Sequence, residues 1–196
     1  MEVSHEDIGL VVSGGGMSCA YSAGALHALA INFGFSKPSI AIATSGGVPN
    51  TCCFIAGKTR ECLTGWEEKI PKGDIVDIDF PEGRFDTATL YRLLRAGDFS
   101  TLGRLPKIIR EARVDLELIL KMLEEQTGLS TVNFQELPEV LMGATEHPTG
   151  EPAYFSTHSP EADLYSIMLA SMAIPILHGK PVTIGGKEYI DGDLSV

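Results

Sequence analysis

Two short glycine-rich stretches hold the residues best suited to chemistry. One is the Ser13–Gly16 turn inside GLVVSGGGMSCAYSAGALHAL, residues 9–29, and the other is ATSGG, Ala43–Gly47. Each follows a β-branched apolar run and precedes a helical pattern. A turn of this kind aims backbone N–H groups from a helix N-terminus, where negative charge is stabilised. Three anions use such turns: a dinucleotide pyrophosphate, a nucleoside triphosphate, and the transient oxyanion of acyl transfer.

The dinucleotide fingerprint G-x-G-x-x-G needs an acidic residue ~20 positions further on. Gly14 and Gly16 fit, but Cys19 holds the third glycine position, and no Asp or Glu lies between Ile8 and Arg60. A triphosphate loop needs G-x-x-x-x-G-K-[ST]. Gly57-Lys58-Thr59 would end one, yet Cys52 stands at its first glycine, and the segment reads as a helix end with a basic cap. No nucleotide is expected. Acyl transfer accounts for both turns. A nucleophilic serine on a sharp turn needs tiny neighbours, so that strained dihedrals are tolerated and helix and strand pass closely. ATSGG is the G-x-S-x-G pattern with alanine first, and Ser45 is its apex. The N–H groups of Gly15 and Gly16 are then candidates for an oxyanion hole, where losing one donor costs ~2.7–4 kcal/mol in the transition state. Taken singly, Ser45 also reads as a turn serine satisfying backbone groups, and Asp191 before Gly192 as a turn aspartate.

Several elements must position these residues. Ile8–Val12 reads as a strand covered on both faces, and Tyr21–Asn32 as a helix stopped at Phe33-Gly34. SIAIAT is a second strand, and VPNTCCFIAGK a second buried helix with Pro49 in its first turn. This βαβα order implies a parallel sheet with crossover helices. Further on, FDTATLYRLLRAG predicts a short helix begun by Asp86. PKIIREARVDLELILKMLEEQTG predicts a longer one stopped at Gly128. Its Leu116, Ile119, Leu120 and Leu123 form one stripe, fit for core packing or for a lid over an apolar site. Residues 81–128 read as a helical, cap-like insertion in a single domain spanning residues 1–196. In the last third, EVLMGAT and AYFSTH are strands. SPEADLYSIMLASMAIP is a helix capped by Ser159 with Pro160 first. VTIGGKEYI is a hairpin that delivers Asp191-Gly192.

Composition narrows the function classes. The 196 residues include 26 acids and 15 bases, a formal charge of −11, which argues against nucleic acid as a partner and against strong attraction to anionic lipid. The acid-free span from Ile8 to Arg60 carries Lys37, Lys58 and Arg60, which suits either a developing negative charge or simple burial. Four cysteines without a C-x-x-C pair fit small buried side chains in a reducing compartment, and no zinc-ligand spacing occurs. No basic leader and no run of ~20 apolar residues is visible, so a cytoplasmic location is expected.

Taken together, GLVVSGGGMSCAYSAGALHAL, ATSGGVPN, LASMAIP and YIDGD resemble the patatin-like phospholipases in order and spacing, from about Ile8 to Asp193. The resemblance implies an α/β three-layer sandwich with a mainly parallel central sheet. Family members usually continue past this point, so a form lacking the last strand and helices is expected. It also implies Ser45 as nucleophile and Asp191 as its sole partner, with Gly14, Gly15 and Gly16 as oxyanion hole and Gly47 and Gly192 in support. No metal or cofactor is implied. The implied activity is hydrolysis of carboxylic esters of lipids, of phospholipase A or lysophospholipase type. Its partners would be a lipid or other acyl ester and, transiently, a membrane surface. A free Asp has a pKa of ~3.9, so Asp191 needs burial to serve as a base.

Three departures from the family pattern stand out, at four positions. Ser18 and Cys19 replace a basic residue and a glycine, Ala43 replaces the first elbow glycine, and Asp193 replaces a common glycine or alanine. These departures favour an alternative, a catalytically weak or inactive lipid-binding or regulatory relative. The other rival is a Ser–Asp–His hydrolase using Asp163 and His178.

Overall fold

The computed structural model describes residues 8–69, 76–80, 83–86, 113–159 and 163–195. The chain opens with strand β1 (Gly9–Val12), helix α1 (Cys19–Phe33), strand β2 (Ile40–Thr44) and helix α2 (Gly47–Ile55). β1 and β2 are parallel, with Val12 beside Ala43. α1 stops at Gly34, whose φ of 64° is left-handed and whose N–H turns back to the Leu29 carbonyl. In IAIAT the alanines Ala41 and Ala43 are buried, while the alternating isoleucines are half-buried. Small side chains on that face let α2 lie close to the sheet, and every residue of α2 is buried. α1 and the short helix α3 (Thr59–Thr64) pack outside it.

Strand β6 (Glu139–His147) organises the sheet, whose order is β1-β2-β6-β9-β8, with β7 (Pro152–Ser156) also on β6. β6 runs parallel to β2, whereas β7 and β9 (Lys187–Asp191) are antiparallel to β6, and β8 (Val182–Ile184) is antiparallel to β9. The parallel part is thus the part that carries the serine turn. Tight turns join β6 to β7 and, through Gly185-Gly186 with φ of 59° and 83°, β8 to β9, so both pairs are antiparallel. β7 covers Leu141–Thr145, overlapping the stretches of β6 that pair with β2 and with β9. A strand has two edges, so β2 and β9 share the other one. They approach from opposite directions, Thr44 ending beside Gly143 and Asp191 beside Ala144.

Between these elements lies a small sheet, β4-β3-β5, made of β3 (Val76–Phe80), β4 (Gly83–Asp86) and β5 (Arg113–Val114). Asp86 ends strand β4, and the remainder of FDTATLYRLLRAG, where a helix is expected, lies outside the described residues. The long amphipathic helix is shorter than expected. α4 spans Leu116–Thr127, because Arg113 and Val114 pair with β3 and the Asp115 carboxylate caps the Leu118 N–H. Leu116 and Leu120 are buried, and Ile119 and Leu123 pack against the same core, so the stripe serves packing. Helix α5 (Leu164–Met172) covers β6 and β9, followed by the single turn α6 (Pro175–His178). Its cap is Asp163, not Ser159, since the Asp163 carboxylate accepts from the Ser166 N–H and hydroxyl.

Gly192 sits where the end of β9 crosses β6, and a Cβ there would collide with the Gly143 carbonyl oxygen. Gly192→Ala is expected to lose about 1–3 kcal/mol, a fall in Tm of roughly 5 °C. An unchanged Tm in a thermal melt would contradict this close approach.

Candidate active site

Ser45 follows the last residue of β2 and adopts φ of 49°, the one positive φ outside glycine among the described residues. Such a conformation costs on the order of 1–3 kcal/mol and persists only when neighbours over-determine it. Three contacts do so. The Ser45 N–H donates to Ser171 Oγ at 2.9 Å, and the Ser171 hydroxyl donates to the Gly143 carbonyl at 2.6 Å. The Ser45 carbonyl accepts from the Val48 N–H at 3.0 Å, in the first turn of α2. Ser45 Oγ then donates to Asp191 Oδ2 at 2.6 Å. Both side chains are buried, with Ser45 4% and Asp191 1% exposed.

Asp191 is fixed as firmly. Its N–H donates to the Ala173 carbonyl at 3.1 Å, its carbonyl accepts from Thr145 Oγ1 at 2.9 Å, and its Oδ1 accepts from the Asp193 N–H at 2.9 Å. Burial pushes its carboxyl above the ordinary value, and the Asp193 charge pushes the same way, while the hydrogen bonds from Ser45 and Asp193 pull it down. The result is a stronger base than a surface aspartate.

The glycine turn faces this pair. The Gly14 N–H donates to Thr44 Oγ1 at 3.2 Å, and that hydroxyl donates onward to Asp193 Oδ1 at 2.5 Å. A side chain at Gly14 has no room, because its Cβ would lie 2.5 Å from Ser45 Cβ and would collide with Asp193 Oδ2. Of the three glycines expected to supply donors, Gly14 thus has its N–H engaged. Gly15, at φ of 151°, and Gly16, at φ of 53°, have N–H groups with no acceptor among the described residues. Gly47 lies where α2 starts against the end of β1, and its Cβ would be 2.7 Å from the Ser13 carbonyl oxygen. A Cβ at Gly46 would lie 2.8 Å from Cys19 Sγ, so the Cys19 side chain fills the space that a glycine leaves across the turn.

A buried amide locks the start of α1. Asn50 Nδ2 donates to the Cys19 carbonyl and to Ser22 Oγ, while its Oδ1 accepts from Trp66 Nε1 and Cys62 Sγ. All four amide hydrogen-bonding capacities in use make this a satisfied core polar group. The four cysteines are buried free thiols, and burial holds Cys19 up at about 11 and Cys52 up at about 12. No His/Cys/Asp/Glu group among the described residues has metal-site geometry, and no described helix is long and apolar enough to cross a membrane.

The rival Asp163 is occupied at the cap of α5. His178 lies in α6, its Nε2 buried without a partner among the described residues, and burial lowers its pKa. The Ser45 hydroxyl bonds to neither. Sequence reasoning missed Ser171 and Thr44. A polar residue inside the apolar run IMLASMAI was the available signal for the former, since a buried hydroxyl needs partners.

A family model described as Patatin-like phospholipase matches residues 10–195. Among solved structures, the crystal structure of VipD from Legionella pneumophila matches with a TM-score of 0.55 at 15% identity, covering 97% of this chain and 46% of VipD. The chain therefore spans less than half the length of that protein, and at such identity the likeness concerns the fold. A comparison with curated proteins returns no match.

Ser171→Ala strands the Ser45 N–H in the core, which costs about 1–3 kcal/mol. We expect that loss in urea unfolding, together with slower reaction of Ser45 towards a fluorophosphonate. Wild-type stability and labelling in this variant would show that Ser171 does not hold the turn.

Proposed function

Because the chain belongs to the patatin-like phospholipase family, we propose that it is a metal-independent serine acyl hydrolase that cleaves carboxylic esters of lipids, of phospholipase A or lysophospholipase type. The observation that carries this reading is the 2.6 Å hydrogen bond from Ser45 Oγ to Asp191 Oδ2 at the apex of the strained turn. Asp191 takes the hydroxyl proton as Ser45 Oγ attacks the ester carbonyl. The carbonyl π electrons move onto oxygen, and the N–H groups of Gly15 and Gly16 receive that negative charge, aided by the N-terminus of α2. Collapse expels the alcohol, which takes the proton from Asp191, and leaves an acyl-serine. Asp191 then deprotonates a water that attacks the acyl group, and Ser45 regains its proton.

We place this activity in the cytoplasm, with transient contact at membrane surfaces. Four buried free thiols, which suit a reducing compartment, support the cytoplasmic placement. A second reading, a weak or inactive lipid-binding relative, is favoured by one observation, the engagement of the Gly14 N–H by Thr44.

A fluorophosphonate should label Ser45 in the wild type and nothing in Ser45→Ala, as read by mass spectrometry. A folded, unlabelled wild type would favour the second reading. The pH dependence follows from the sign of the Asp191 shift. Its ionised form is the base, and its folded pKa is raised, so kcat/KM should climb with pH around a midpoint above the ordinary carboxylate range. The unfolded chain ionises Asp191 more readily, so this group works against folding as pH rises from its unfolded to its folded pKa and beyond. Asp191→Asn should therefore abolish turnover while leaving Tm at neutral pH equal to or above wild type. Full esterase activity in that variant, with loss in His178→Ala, would transfer the role to His178.

A further inference from the structure

We propose that Asp193 makes the site charge-selective, favouring acyl esters that are neutral or positively charged beside the scissile bond and turning away anionic ones. The inference rests on the hydrolase reading above and adds the property by which that site sorts its substrates.

Asp193 Oδ2 and Ser45 Cβ both crowd the point where a Gly14 side chain would begin. The carboxylate therefore stands beside the nucleophile and against the glycine turn, where a reacting ester must lie. Unlike Asp191, Asp193 is exposed, so its charge faces the approaching substrate.

Asp193 is also held. Its Oδ1 accepts from the Thr44 hydroxyl at 2.5 Å, and its own N–H donates to Asp191 Oδ1 at 2.9 Å. Thr44 in turn accepts from the Gly14 N–H. The carboxylate is thus tied to the serine strand and, through Thr44, to the glycine turn, while the Asp193 backbone is tied to Asp191. Nor is it neutralised. Among the described residues, no Lys, Arg or His forms an ion pair with it. Ser18, on the same turn, brings no charge.

A fixed negative charge a few ångströms from the reacting carbon acts through Coulomb's law on any charge the substrate carries. In a partly solvated site this amounts to about tenfold in kcat/KM for a unit charge. The same charge opposes the oxyanion, so its removal also raises the rate on neutral esters. The diagnostic quantity is accordingly a ratio between substrates.

The test uses three butyrate esters of matched shape, with the alcohol ending in trimethylammonium, tert-butyl or sulfonate. Asp193→Asn keeps an oxygen for Thr44 and the backbone N–H, and removes only the charge. Wild type is expected to prefer them in the order trimethylammonium, tert-butyl, sulfonate. In Asp193→Asn the sulfonate-to-tert-butyl ratio should rise about tenfold. Wild-type discrimination should also shrink as salt increases, a response that a purely structural role would not produce and that needs no variant. Fluorophosphonate labelling of Ser45, run alongside, separates the two readings. If Ser45 is labelled in both proteins but the ratio is the same in both, or wild type shows no order and no salt response, the Asp193 inference is overturned and the hydrolase reading stands. If wild-type Ser45 is not labelled and no ester is cleaved, both fall.

Discussion

One edge of β6 is divided between two strands, β2 along Glu139–Gly143 and β9 along Ala144–His147. Because β2 runs with β6 and β9 runs against it, the strands meet end to end. Ser45 leaves one of them at the meeting point and Asp191 closes the other. The 2.6 Å bond between them follows from hydrogen-bond registry rather than from loops reaching across a cleft. Strand registry is strongly specified when one face is buried, since a slip of one residue would turn Ala43, Met142 and Ala144 out of the core. The energy that keeps Ser45 and Asp191 in line is therefore the burial energy of the sheet.

Such a meeting leaves little room. Gly192 lets two backbones touch, Gly143 leaves room for the Thr44 methyl, Gly47 lets α2 start against the carbonyls that end β1, and Gly14 leaves space for Ser45 and Asp193. Where the pattern of small residues is broken, a neighbour adjusts. Cys19 brings a side chain into the turn, and Gly46 opposite it has none. Ala43 carries a methyl, and it points into the α2 face, where it is buried. Polar groups in this crowded region are satisfied in short relays, Ser45 to Ser171 to Gly143 and Gly14 to Thr44 to Asp193.

What could be read from the sequence was local or periodic. The βαβα opening, the place of Ser45 at a turn, the Gly34 and Gly128 stops and the Gly185-Gly186 hairpin all depend on residues within a few positions of one another. Asp191 was different. Its spacing alone made it a turn residue, and only the set of four blocks pointed to it as a partner of Ser45. Local pattern also failed at the start of α4, where helical periodicity ran through Arg113 and Val114. Pairing with β3, a strand far away in sequence, took those two residues instead. Ser171 and Thr44 stayed hidden for a related reason. Their meaning lies in hydrogen bonds to residues 126 and 149 positions away, and a lone hydroxyl in a helix or strand has many bland uses.

The end-to-end meeting of β2 and β9 also has a consequence in time. Ser45 and Asp191 stand 146 residues apart, and a ribosome makes roughly 5–20 residues per second. Ser45 therefore leaves the ribosome well before Asp191, on a turn that still lacks Ser171 as well. Throughout that interval the growing chain holds an ordinary serine hydroxyl. The hydrogen bond to the Asp191 carboxylate arrives only with the closing hairpin, so a chain that halts early or fails to dock β9 never forms the pair. The long-range registry thus makes the Ser45–Asp191 contact a product of the finished sheet.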